Sequence, residues 1–170
     1  IDIMPDLDIS ATERGIFFQV ELDRYVPANV SIKLADNNIF KSFRLNQIQP
    51  NVFLSDMLPH QNVIGVKYVD VELSNGGLSR ETRFHFRSVV AEPSQEAIAL
   101  SQDKNCSVHI LPQTLYQTNV VWIEKVKEYA PIENGFHLSS VYQIQPFNIP
   151  LRDEYKVGIR YSFELVEHSN

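Results

Sequence analysis

The sequence predicts an all-β fold made of two tandem β-sandwich domains. Three observations carry that expectation. Apolar residues recur at every second position in most recognisable segments, and turn-forming residues separate those segments at short intervals. A single stretch, 91–105, loses both the alternation and the aromatic residues. A sheet points successive side chains to opposite faces, so this two-residue beat marks half-buried strands.

The first clear element is Gly15 to Asp23, GIFFQVELD, with Ile16, Phe18, Val20 and Leu22 on one side and Phe17, Gln19, Glu21 and Asp23 on the other. Val30 to Leu34 alternates in the same way and stops at Asp36-Asn37-Asn38, residues that tolerate left-handed backbone. Ile39 to Leu45 is the expected return strand. Ile64 to Leu73 is apolar at 64, 66 and 68 and then at 69, 71 and 73, a slip of phase that predicts a β-bulge between Tyr68 and Val69. Asn75-Gly76-Gly77 predicts a tight hairpin turn, with Thr82 to Val90 returning, Phe84 and Phe86 inward and His85 outward.

Residues 91–105, AEPSQEAIALSQDKN, are the predicted linker between a first domain, 1–90, and a second, 106–170, and Ser94 to Leu100 permits a short helical turn. The β pattern resumes in Ser107 to Leu111, Asn119 to Lys127, Phe136 to Ile144 and Tyr155 to Leu165. In the last of these, Val157, Ile159, Tyr161, Phe163 and Leu165 form the face expected to be buried. Proline cannot donate to a strand ladder, so Pro146 and Pro150 predict a stiff arch crossing between sheets, with Phe147 or Ile149 free to plug the core.

Composition narrows the function classes. At 170 residues and 44% hydrophobic, the chain can bury a core without disulfide or metal. Fifteen basic against twenty-one acidic residues give a net charge of -6, with no basic run to neutralise phosphates, so nucleic acid is not an expected partner. No apolar run approaches the roughly 20 residues of a membrane span, so no membrane insertion is expected. Cys106 is the single cysteine and cannot form an intramolecular disulfide. The chain opens IDIMPDLDIS, with neither an initiator Met at position 1 nor a charged and apolar leader, and reads as a piece of something longer with any targeting signal upstream.

Residues 108–161 carry a resemblance. An apolar strand is followed by Leu111-Pro112 and Leu115-Tyr116, then by Ser140, Tyr142, Ile144 and Pro146 at alternate positions, then by Pro150-Leu151 and a strand ending Ile159-Arg160-Tyr161. This order resembles the β-sandwich modules appended to bacterial cell-surface proteins, notably those following the catalytic domain in zinc endopeptidases of the lysostaphin type. It is similar, more distantly, to the sandwich modules of ankyrins and netrin receptors, where Ser139-Ser140-Val141-Tyr142 meets a related motif. Residues 5–90 resemble a bacterial immunoglobulin-like domain, with Pro5 at the start, Gly15 before the first strong strand and FHFRSVV at the close. The resemblance implies tandem immunoglobulin-like sandwiches with an accessory role, and an extracytoplasmic setting in the periplasm or at the cell surface.

Catalysis is not expected. The HxxxD and HxH ligand pairs of those zinc enzymes are missing, and His60, His85, His109, His137 and His168 are isolated in sequence. Cys106 and His109 stand three apart, which in a strand puts them on opposite faces and defeats a nucleophile pair. Asp6-Leu7-Asp8 and Asp153-Glu154 lack the six to eight oxygens calcium takes and read as turn caps. No cofactor or metal is therefore expected, and no ligand-binding residue can be assigned. Trp122, in step with Val120 and Val126, is expected in the core, and Tyr142 at a strand end. The functional expectation is a non-catalytic accessory or surface module that positions or mediates binding for a larger extracytoplasmic protein, such as a cell-wall peptidase, through a protein or cell-envelope glycan partner. The alternative is a carbohydrate-binding module using exposed aromatics such as Trp122, which would need a second aromatic coplanar with it on an exposed face, Tyr116, Tyr129 and Tyr142 being the rings weighed with it.

Overall fold

The structure, a computed structural model, describes residues 3–35, 40–126 and 139–161. It is all-β, with four antiparallel sheets packed in a sandwich-like arrangement. In chain order the strands are β1 (Pro5–Ala11), β2 (Ile16–Leu22), β3 (Asn29–Ala35), β4 (Phe40–Arg44), β5 (Asn46–Gln49), β6 (Val52–Leu54), β7 (Tyr68–Asn75), β8 (Leu78–His85), β9 (Ser88–Ala91), β10 (Ala97–Leu100), β11 (Cys106–Ile110), β12 (Asn119–Lys125), β13 (Tyr142–Gln145) and β14 (Lys156–Ile159).

The first pair of sheets has the orders β1-β2-β6-β5 and β4-β3-β7-β8. Ile16, Phe18, Val20 and Leu22 from one sheet meet Val30, Ile32, Leu34, Val69, Val71 and Leu73 from the other in a common core. The alternation in β2 and β3 thus does what its period dictates: every second side chain leaves water, at about 1.5–3 kcal/mol for each large one. Gly15 precedes β2 because the chain runs so close to Leu58 that a Cβ would strike its carbonyl oxygen. That carbonyl accepts the Ile16 amide at 2.9 Å. Between β7 and β8, Gly76 and Gly77 supply the positive φ values, 55° and 95°, of a two-residue hairpin loop.

The second pair of sheets has the orders β13-β12-β9 and β10-β11-β14. Strand β12 is buried on both faces. Val120 and Trp122 join the first core, while Val121 and Ile123 join a second core with Ala91, Ala99, Cys106, Val108 and Ile110. Phe86 links the two sides by edge-on ring contacts, 5.8 Å to Phe18 and 5.7 Å to Trp122.

Several expectations are corrected. The phase slip before Val69 is not a bulge: His60–Val63 form a single 3-10 turn and β7 begins only at Tyr68, so the slip marks a turn meeting a strand. The register irregularity lies instead between Gln47 and Gln49 of β5. The return strand expected over Thr82 to Val90 breaks at Phe86-Arg87, with β8 in one sheet and β9 in another. Within 91–105, Ala97–Leu100 is a strand paired with β11 and not a helical turn, because Ala97 and Ala99 bury one face against the second core. Strands β1, β5 and β6 were not anticipated. In β1, Leu7, Ile9 and Ala11 do alternate with Asp6, Asp8 and Ser10, but the run is only seven residues long and opens on a proline.

The proline-stiffened segment does cross between sheets, from β13 to β14, and Ile149 packs against the second core while Phe147 stands 82% exposed. The stripe on β14 is not buried: Val157 is 49% exposed, although its partner Val108 is 1% exposed. Strand β14 is the edge strand of its sheet, paired on one side only, with β11, among the described residues. The expected turn at Asp36–Asn38, the segment Phe136 to Leu138 and the run Phe163 to Leu165 lie outside the described residues.

Candidate functional site

The histidines do not converge. His60 is buried, with Nε2 3.1 Å from the Thr12 carbonyl oxygen. His85 is exposed at the end of β8, its ring 5.2 Å from that of Tyr68. His109 points away from the second core and stands 3.6 Å from Glu96. His137 and His168 lie outside the described residues, among which no group of three His, Cys, Asp or Glu side chains is placed to hold a metal. Cys106 faces the second core on the opposite side of β11 from His109. Burial, with the nearby Asp103 charge, pushes its thiol pKa up, so it is a poor nucleophile.

The acidic pairs act locally. Asp6 and Asp8 accept the amides of Leu7 and Ile9 at 3.1 and 3.0 Å, and Asp153 accepts that of Glu154 at 2.8 Å. Asp103 is different. Its Oδ1 accepts Ser101 Oγ at 2.7 Å and the Asn105 amide at 3.1 Å, and its Oδ2 accepts the Tyr142 hydroxyl at 2.8 Å with Lys125 Nζ at 3.5 Å. Partial burial pushes its pKa upward, but these donors and the Lys125 charge prevail and hold it at about 2. The β10–β11 turn, where Lys104 has a φ of 60°, is thereby tied to β12 and β13 across the second core. The sequence shows Asp103 only as a turn residue, since its partners lie up to 39 positions away.

Trp122 is 3% exposed, and its Nε1 donates to Glu124 Oε1 at 2.7 Å. Its ring is therefore unavailable for surface stacking, as the Val120-Trp122 phase anticipated. Tyr116 is exposed beneath the Arg152 guanidinium, 4.7 Å from the ring centre. Tyr142 is half-buried and bonded to Asp103, and Tyr129 lies outside the described residues.

Among the described residues, surface hollows of differing depth open at several places. A cleft of about 860 Å³ runs between the edge of β1 and the β8–β12 junction, with Leu7, Ile9 and Phe84 on its walls and Asp8, Arg87 and Lys125 around them. An apolar opening of about 360 Å³ lies within the second pair of sheets, lined by Val108, Ile110, Val121, Ile144 and Phe147. A shallow depression of about 570 Å³ is formed by Tyr25 with Gln47, Ile48, Gln49 and Pro50. This last surface was missed in the sequence, where the amide-rich tip NQIQPN looks like an ordinary turn.

Elsewhere, charged groups pair across neighbouring strands. On the outer face of the β3–β7–β8 layer, Asp70 receives two bonds from Arg83, at 2.7 and 2.8 Å, and Lys33 lies 3.1 Å from Glu72 and 3.0 Å from Glu81. No protein-family model matches the chain, and no curated protein or solved structure matches it either.

Proposed function

We propose that the chain is a non-catalytic binding and positioning module of two tandem immunoglobulin-like sandwiches, 1–90 and 106–170, serving a larger extracytoplasmic protein such as a cell-wall peptidase. One observation carries this reading: strand β12 is buried on both faces and shared by two cores, which holds the halves at a fixed relation. A rigid double module with clefts and loop tips at its periphery suits spacing and contact. The described polar clusters support it as well, since Asp103, Asp70 and Lys33 spend their bonding capacity on neighbouring strands. Among the described residues no helix is long and apolar enough to cross a membrane.

The test is to incubate the purified chain with isolated cell-wall sacculi and with an envelope protein extract, and in parallel with chromogenic peptide and glycoside substrates. Retention without turnover is the expected result. Turnover that co-purifies with the folded chain would overturn the reading, as would failure to be retained by either material.

A further inference from the structure

We propose that the surface formed by Tyr25 and the β5–β6 tip binds a neutral oligosaccharide, an inference that rests on the binding-module reading and names its ligand class. The surface is held together by specific bonds. Asn51 Nδ2 donates to the Leu22 carbonyl at 3.1 Å, and the Leu22 amide donates to the Asn51 carbonyl at 2.9 Å. The hairpin tip is thus stitched to the last residue of β2, three positions before Tyr25. Gln47 Nε2 donates to the Pro50 carbonyl at 2.8 Å, which orients that amide. The irregularity between Gln47 and Gln49 re-aims the edge of β5 at this point.

The chemistry of the lining selects the ligand. Tyr25 is 62% exposed, a large ring left in water beside exposed Ile48 and Pro50. The Gln49 side chain makes no hydrogen bond among the described residues, and Gln47 keeps its Oε1 unengaged there. No charged side chain is among the described residues that line the depression. A sugar ring has an apolar face that stacks on an aromatic ring, and hydroxyls that both donate and accept, as carboxamides do. Absence of charge in the lining favours a neutral sugar over an anionic one. A proline-rich peptide is served less well, because it docks in grooves lined by several aromatics, and here a single ring lies on a shallow surface.

The experiment is a titration of the isotopically labelled full chain with chitotetraose, followed by amide and side-chain NMR, with a proline-rich decapeptide as the competing probe. Saturable shifts centred on Tyr25, Gln47 and Gln49 are expected. Tyr25→Ala should weaken binding about tenfold and Gln49→Ala about threefold, while Tyr25→Phe keeps most of it. Shifts centred elsewhere, no saturation at millimolar sugar, an unaffected Tyr25→Ala variant, or preference for the peptide would each overturn the proposal. If wild type and Tyr25→Ala are retained equally by sacculi, the glycan surface fails while the module reading stands.

Discussion

The two pairs of sheets solve the same packing problem with different means. The first gathers Phe18, Leu22, Ile32, Leu34, Phe53 and Leu73 between two four-stranded sheets, and its inward positions are closed to water. The second has three-stranded sheets and a described core in which Ala91, Ala97 and Ala99 take places that larger residues hold in the first. Its margin stays open, with Val157 and Ile159 half exposed. A smaller core returns less transfer free energy, and the second pair compensates in two ways. It lends one face of β12 to the first core, and it ties its turn across the sheets through Asp103.

The comparison can be broken at its shared element. Trp122→Ala empties the place that β12 fills in the first core and should cost about 3–5 kcal/mol, read as the denaturant midpoint followed by circular dichroism. Wild type should unfold in a single transition, with Trp122 emission blue-shifted and protected from iodide. Two separated transitions would show that the halves are energetically independent.

Paired positions sharpen the contrast next. Val108 and Val157 face each other across β11 and β14. Val108→Ala should cost about 2 kcal/mol and Val157→Ala less than about 1 kcal/mol, because only the first leaves a closed cavity. Equal losses in thermal melts would mean that the open margin is covered in solution.

Asp103→Asn should cost about 1–2 kcal/mol at neutral pH, a discounted figure because the carboxylate is partly in water. Its folded pKa of about 2 lies below the ordinary value of 3.8. The stabilisation from its ionised form is therefore complete above the unfolded value and fades as pH falls from about 4 through 2. Denaturation midpoints of wild type and variant should converge over that window, and a constant gap would assign the loss to packing. Hydrogen exchange should show the loss concentrated in β10 to β13. The smallest effect is expected at Tyr25→Ala, within about 0.5 kcal/mol, since its exposed ring supports no core.

Much of the architecture was legible because a strand with one wet face writes its period into the sequence, as β2, β3 and β11 do. The alternation failed where that premise failed. Strand β12 has no wet face over its first five residues, so its run NVVWI gives burial but not the two cores it divides between them. Strand β14 alternates cleanly, yet it is an edge strand whose Val157 and Ile159 stay half exposed, and alternation alone does not tell an edge from a centre. Short β5 and β6 offer too few residues for a period, and β10 hides within a polar stretch because alanine carries little hydrophobic signal. The Asp103 cluster and the Tyr25 surface are assembled from residues far apart in the chain, on turns and strands alike, which local spacing does not encode.

The double burial of β12 also has a practical corollary for anyone wishing to dissect the molecule. A recombinant fragment starting after residue 91 would carry Val120 and Trp122 as an uncovered greasy strip, and the complementary fragment would lack the lid that seals its base. Cut at its most polar connection, the polypeptide would yield two sticky pieces, each better suited to precipitation or self-association than to assay.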